Sequence, residues 1–432
     1  MIVLSIFFEA SNASLVNHRR YARSRMYKHR YFDASAIPAR LQWLYKYERL
    51  LNTLRHAKEG DVILMMSENA AIVSPVAMET FVQGLDYLLI RVSAHALPQV
   101  DVQFWRNTAI ARQAVLRIAQ RCRLGEELPT AEAKLLTELE SVHCAIQIAD
   151  HHPVMQAGHR FFPDWNATPT FAISIDDSPH DPDRKWESAR YREALIDHLN
   201  ERKAAGAPLF TFSGNEEAQC AERSVYNGGK AVAIVTLYTP NVASYARIAE
   251  ENFKRYCEIH GYTLYVHREI PAEVGLQANG NWLKPWLLHA YLLHHDWVIW
   301  LDSDVLVADL ERPLDALLQG RDALVAHDIG KWDFNAGVVG LRRTDKNLSM
   351  LLRLMSVISS LADLSDVYAN SGDQHYFIDA VHTARAIERD EVHDFLEINT
   401  PWMVRQTDSF IVHYLGMWPE MRALMMMYDL MN

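Results

Sequence analysis

Trp297-Val298-Ile299-Trp300-Leu301-Asp302-Ser303-Asp304 sets five apolar residues in a row and then two acids around a serine. Five residues suit a strand and are short for a helix. Because none of the five is polar, both faces of the strand are expected to be buried, as in a sheet covered by helices. Ligands in such sheets bind beyond the carboxyl ends of strands, where the acids stand. Strand alternation is expected to put Asp302 and Asp304 on one side. Two close carboxylates repel unless a cation separates them or one is protonated. A hard divalent cation resolves the repulsion and keeps open positions for substrate phosphates. The plainer reading makes Asp302 a helix cap and Asp304 a surface acid, since a bare D-x-D is common by chance. The apolar strand ahead of the pair favours the site.

Outward from this run, apolar strands alternate with amphipathic helices. Val232 to Tyr238 reads as a first strand, followed by a helix at about 241–260. Strand 263–266 and a helix around 283–295 lead into strand 297–301. That alternation implies an α/β fold with a mainly parallel sheet.

The chain also repeats itself. Ser11-Asn12-Ala13-Ser14 follows the first apolar run as Pro240-Asn241-Val242-Ala243-Ser244 follows the later one. Trp43 precedes a helix as Trp282 does, and Val62-Ile63-Leu64-Met65 matches Val298-Ile299-Trp300-Leu301. Gln83-Gly84-Leu85-Asp86 matches Gln319-Gly320-Arg321-Asp322, and Asn107 in Trp105-Arg106-Asn107-Thr108-Ala109 matches Asn335. The order is kept while the spacing drifts by about ten residues, as loop insertions allow. Two tandem domains of one ancestry are therefore expected, 1–220 and 228–432, linked near 214–230. In the first, Ser67-Glu68-Asn69, or Met66-Ser67-Glu68 in a shifted register, replaces the acid pair. The first domain is thus expected to be catalytically inert. It would support the active domain, bind acceptor or carry a homodimer contact.

A length of 432 residues suits two domains, and a net charge of −11 argues against a nucleic-acid partner. The one basic stretch, His18 to Tyr31, reads first as a solvated helix face and second as a phosphate or peripheral membrane contact, for instance at an inner membrane. Cys122, Cys144, Cys220 and Cys257 form no C-x-x-C pair, which suits buried thiols in a reducing compartment. The apolar start, residues 1–8, lacks the flanks of a signal peptide, and no run is long enough to span a bilayer. A cytoplasmic enzyme is expected.

Five blocks carry a family likeness: Trp282-Leu283-Lys284, Trp300-Leu301-Asp302-Ser303-Asp304, Asn335-Ala336-Gly337 through Arg342, Gly372-Asp373-Gln374, and His413-Tyr414-Leu415-Gly416. Through them the chain from about 231 to 416 resembles glycosyltransferase family 34, the alpha-galactosyltransferase and xyloglucan xylosyltransferase family. The resemblance implies tandem GT-A-like (Rossmann-like, nucleotide-diphospho-sugar transferase) domains, with the second one catalytic. It implies a manganese site, with magnesium the alternative, at Asp302, Asp304 and His413; imidazole suits manganese better. It implies donor contacts from Thr236, Tyr238, Lys284, Asp302, Ser303, Asn335, Ala336, Gly337, Asp373 and Gln374, the last two nearest the chemistry. Without the resemblance, Lys284 is an ordinary lysine, His413 a core residue, and Asp373 a helix-start acid behind a Ser371 cap. The chain departs from the family in having Gly372 where a second acid is usual and in showing no membrane anchor.

The expected reaction moves a galactose-, glucose- or xylose-type sugar from a nucleotide diphosphate, a UDP-sugar first, to a glycan or glycolipid acceptor. The family retains anomeric configuration. No carboxylate nucleophile is evident, so front-face displacement is expected, with Asp373 the candidate if a covalent intermediate forms. Two other classes stand beside this one. A carbohydrate-binding scaffold fits the first half. A sugar nucleotidyltransferase needs a Gly-rich phosphate loop, which Thr236-Leu237-Tyr238-Thr239-Pro240 is not.

Overall fold

The computed structural model describes all residues except 92–96, 125–130, 140–142, 145–150, 157–169, 176–184, 208, 210–220, 277, 331, 365–371, 385–386, 388–391, 418 and 432. The expected link at 214–230 and the proposed Ser371 cap fall wholly or partly outside the described residues. The chain divides into two compact units, Met1–Ser178 with Lys185–Leu209, and a second containing Phe210–Asn432.

Unit 1 opens with β1 (Ile2–Phe7), α1 (Asn12–Ser24), β2 (Lys28–Asp33), α2 (Gln42–His56), β3 (Val62–Met66), β4 (Ala70–Ile72) and β5 (Tyr87–Leu88). It continues with β6 (Val102–Arg106), α3 (Ala109–Leu124), β7 (His152–Gln156), β8 (Thr170–Ser174) and α4 (Lys185–Ala204). Its large sheet runs β2-β1-β3-β6-β5, with β1 parallel to β2 and β3, and β6 antiparallel to β3 and β5. A small sheet runs β4-β8-β7, antiparallel then parallel.

In unit 2 the main elements are β9 (Arg223–Tyr226), β10 (Val232–Leu237), α5 (Ala243–His260), β11 (Thr263–His267), α6 (Lys284–Leu292), β12 (Trp297–Leu301) and β13 (Val305–Val307). There follow β14 (Ala323–Ala326), β15 (Asn335–Arg342), α7 (Asp345–Ser359), α8 (Asp373–Ala384), β16 (Thr400–Pro401), β17 (Ile411–His413) and α9 (Pro419–Met431). Its large sheet runs β9-β11-β10-β12-β15-β14. Apart from the added edge strand β9, order and directions repeat those of unit 1. The small sheet β13-β17-β16 repeats the antiparallel-then-parallel pattern.

The α/β class is as expected, but each large sheet is mixed: within it only the three strands around β1 or β10 are parallel. Residues 223–226, inside the stretch expected to link the halves, pair with β11 instead. The strand at 297–301 is fully buried, as its composition requires. On one face of the sheet Ala233, Val235, Val298, Trp300, Val339 and Leu341 pack with Leu287 and Leu288 of α6 and with Met350, Leu351, Leu354 and Ile358 of α7. The 3–4 residue spacing on α7 is that of one helix stripe. Each fully buried side chain of this kind contributes about 1.5–3 kcal/mol, so β12 is a rigid base for the acids at its end.

The basic stretch at 18–31 splits between α1 and β2. His18 is fully buried, so it is no part of a basic patch, whereas Arg19, Arg20 and Arg23 are exposed. No helix among the described residues is long and apolar enough to cross a membrane. Cys122 and Cys257 carry free thiols.

Candidate metal centre and donor site

The backbone NH of Asp302 donates to the Gly337 carbonyl at 2.9 Å, which extends the β12–β15 ladder by one residue. Val305 NH then donates to the Asp302 carbonyl at 3.1 Å and closes a turn into β13. The two acids therefore converge across a tight turn and not, as strand alternation suggests, along one face of a strand. In the small sheet Val305 stands opposite His413. That pairing brings the imidazole beside Asp304, with Nε2 3.3 Å from Oδ1. One ligand atom from each of Asp302, Asp304 and His413 lies within 4.8 Å of the others. Among the described residues no other three His, Cys, Asp or Glu side chains gather this way.

The donor set fits a divalent cation. Asn399 Nδ2 donates to Asn335 Oδ1 at 3.1 Å, so its Oδ1 is left to accept from His413 Nδ1, also at 3.1 Å. With the proton on Nδ1, the Nε2 lone pair faces the two acids, the outer-shell arrangement usual for a ligating histidine. Asn335 Oδ1 also accepts from Gly337 NH at 2.9 Å, and its Nδ2 donates to Asp328 at 3.1 Å. A Cβ on Gly337 would stand 2.7 Å from His413 Nδ1. Glycine is needed there because the imidazole fills that space.

Lys284 opens α6 and is almost fully buried, with Nζ 3.1 Å from both Asp302 Oδ1 and Asp373 Oδ2. It also donates to the Ala336 carbonyl at 3.0 Å. Burial alone would lower its pKa, but the two carboxylates more than offset this and hold it well above the usual lysine range. Lys284 is thus a charged tie between the turn after β12 and the start of α8. Gln374, next on α8, accepts from Ala336 NH at 3.2 Å. Trp300 Nε1 donates to Asp302 at 2.6 Å, which fixes the carboxylate further. Asp304 is held well below the carboxylate range: burial pushes it up, while the Arg422 guanidinium pulls it down more strongly.

Lys284, Asp302, Asp304, Asn335, Ala336, Gly337, Asp373, Gln374 and His413 thus form one connected constellation, with Ser303 half-buried at the tip of its turn. Thr236 and Tyr238 have no bond to it. Thr236 is buried with its hydroxyl unpartnered, and Tyr238 gives its hydroxyl to Glu250 at 2.8 Å. Asn399, Asp328 and Arg422 escaped the sequence reading. For Arg422 a signal was present: it is a lone arginine in the apolar run Met421 to Met427.

Unit 1 repeats this backbone pattern with different side chains. Ser67 NH donates to the Asp101 carbonyl at 3.0 Å, as Asp302 does to Gly337. Ser174 stands opposite Ala70 as His413 stands opposite Val305. Ile175 NH donates to Asn69 and Tyr414 NH to Asp304, each at 2.9 Å. Ser67, Asn69, Ser174 and Asp101 therefore occupy the places of Asp302, Asp304, His413 and Gly337. The Asp101 carboxylate accepts from Ser67 at 2.6 Å, Ser174 at 2.5 Å and Asn69 at 3.4 Å. One anion ringed by neutral donors stands where unit 2 gathers two carboxylates and an imidazole. The expected match of Asn107 with Asn335 fails: Asn107 follows β6 and bonds Ala57 and Lys58, whereas Asn335 begins β15.

Residues 231–336 match the profile of the galactosyl transferase GMA12/MNN10 family, a stretch shorter than half the chain that runs from the start of β10 to the start of β15. By that match unit 2 carries a glycosyltransferase domain and the protein is a glycosyltransferase. Among solved structures, a glycosyltransferase involved in glycosylation of the major capsid of PBCV-1 is 22% identical, over 46% of this chain and 98% of its own, with a TM-score of 0.39. The glycosyltransferase GlyE of Streptococcus pneumoniae TIGR4 is 16% identical, over 47% and 61%, with a TM-score of 0.32. Mouse xyloside xylosyltransferase 1 is 14% identical, over 42% and 97%, with a TM-score of 0.27. No curated protein sequence matches.

Proposed function

We propose that unit 2 transfers a sugar from a nucleoside-diphosphate donor, a UDP-sugar first, to a glycan or glycolipid acceptor, using manganese held by Asp302, Asp304 and His413. The observation that carries this reading is the three-ligand cluster with His413 Nε2 turned toward the acids. A divalent cation there, when bound, neutralises charge on a departing diphosphate. Lys284 holds Asp302 and Asp373 in fixed positions, and Asp373 and Gln374 face the donor sugar at the start of α8. Lys284 and Asp373 are buried and paired, and charges fixed in this way are what transition-state stabilisation requires. Retention of configuration by front-face displacement fits best, because Asp373 is already committed to Lys284. Thr236 and Tyr238 belong to the donor side through their place at the end of β10. The reading includes a cytoplasmic setting and a first unit that is a non-catalytic copy, since Ser67, Asn69 and Ser174 offer no anionic or imidazole ligand.

The test is manganese-dependent hydrolysis of a panel of nucleotide sugars without acceptor, in the full chain and in Asp304→Ala. At least one donor should be cleaved with manganese, and the substitution should lower that rate by at least a hundredfold. Full turnover in Asp304→Ala would place the chemistry elsewhere. Absence of both hydrolysis and melting shift with every donor plus metal would favour a carbohydrate-binding scaffold.

A further inference from the structure

Arg422 lies on α9, with Nη2 3.3 Å from Asp304 Oδ2 and Nε donating to the Tyr414 carbonyl at 3.0 Å. Its guanidinium stacks over the Tyr245 ring at 4.5 Å, on α5. A cation is thus built against one of the two acids that would hold a metal. Asp304 cannot serve both fully: a dication on its carboxylate would repel a guanidinium at that distance.

Unit 1 shows which other anion an arginine at this place takes. Arg192 lies on α4, which follows β8 and packs on α1 as α9 follows β17 and packs on α5. Arg192 donates to Asn69, the counterpart of Asp304, at 2.5 Å. Asn69 is neutral, and Arg192 also forms an ion pair with Glu9, 3.3 Å away, rooted just past the end of β1. The ladders set Ile2 beside Ile63 and Ala233 beside Val298, so the matching place past the end of β10 is Pro240, which carries no charge. At this place past the first strand unit 1 therefore carries a carboxylate and unit 2 a neutral residue.

We infer that Arg422 is a binding residue for the donor's diphosphate, held by Asp304 until metal and nucleotide arrive together. The inference rests on the proposed metal-dependent reading of unit 2. It makes metal and nucleoside diphosphate bind with positive coupling, because the diphosphate takes the guanidinium that competes with the metal for Asp304.

The experiment compares wild type, Arg422→Gln and Arg422→Lys by titration with manganese alone, followed by UDP at saturating manganese. Glutamine keeps a donor for the Tyr414 carbonyl, and thermal melting checks that α9 stays in place. Arg422→Gln should bind manganese alone several-fold more tightly than wild type. It should bind UDP with manganese on the order of tenfold or more weakly, and lysine should restore part of that loss. The two effects run in opposite directions, which a loosened helix would not produce. Equal constants in wild type and Arg422→Gln, or both affinities falling together, overturn the inference and leave the proposed function standing. Wild type that binds no manganese with or without UDP overturns both.

Discussion

Gly337 and His413 are 76 positions apart in number but adjacent in space, and each explains the other. The imidazole reaches Asp304 because the residue opposite has no side chain. A methyl group on Gly337 would press on His413 Nδ1 at 2.7 Å and on Asn335 Oδ1 at 3.0 Å. The ring would have to swing and give up its bond to Asn399, the bond that aims Nε2. Gly337→Ala should therefore weaken manganese binding about 10–100-fold, the usual cost of losing an outer-shell partner. The accompanying loss of stability should be about 1–3 kcal/mol, as for overpacking. Manganese titration beside chemical unfolding measures both, and unchanged affinity would show that His413 is not a ligand. Such a requirement is invisible in Asn335-Ala336-Gly337 as a string. What demands glycine there is a side chain of the chain itself, the imidazole of His413.

At the scale of elements, unit 1 is tied together by a histidine that a charge count misreads. His18 on α1 bonds Ser5 of β1 at 2.9 Å through Nδ1 and the Ala70 carbonyl of β4 at 2.8 Å through Nε2. The carbonyl only accepts, so Nε2 carries the proton and the Ser5 hydroxyl donates to Nδ1. Three elements meet on one neutral ring. Burial is the main reason its pKa falls to about 4, from an ordinary value of 6.5. A histidine depressed in the folded state binds a proton more readily when unfolded. Its contribution is complete above about pH 6.5 and is lost as pH falls toward 4. Between pH 7.5 and 5 the loss should be about 2 kcal/mol. Urea unfolding at the two pH values in wild type and His18→Asn, read by a probe in unit 1, measures the difference. The same slope in both proteins would remove His18 as the cause, and a proton titration of the His18 ring near pH 6.5 would do so directly.

For the molecule as a whole, the two units repeat one order of strands, and the repeat was only partly legible in the sequence. Apolar runs carried it better: matching Val62–Met65 with Val298–Leu301 finds the right pair of strands, one residue out of the register in which Val62 stands level with Trp297. Polar residues carried it badly. Asn107 and Asn335 sit in similar strings, but the ladders pair Arg106 with Val62 and Arg342 with Trp297, so the strings lie at opposite ends of their strands. The acid pair and the late histidine stood out because several motifs fell in order. Asn399 and Asp101 are single residues whose meaning comes only from which strand or helix lies beside them. Asp101 tests the division of labour between the units. Its carboxylate collects Ser67, Asn69 and Ser174, so Asp101→Ala would leave three donors short of a partner, at a cost of about 2–4 kcal/mol. If unit 1 is a structural copy, this cost appears as a lower melting temperature, while manganese-dependent donor hydrolysis per folded molecule stays within twofold of wild type. If instead hydrolysis falls at a temperature where the variant is still folded, unit 1 takes part in the reaction, and the neutral ring around Asp101 is a working site of its own.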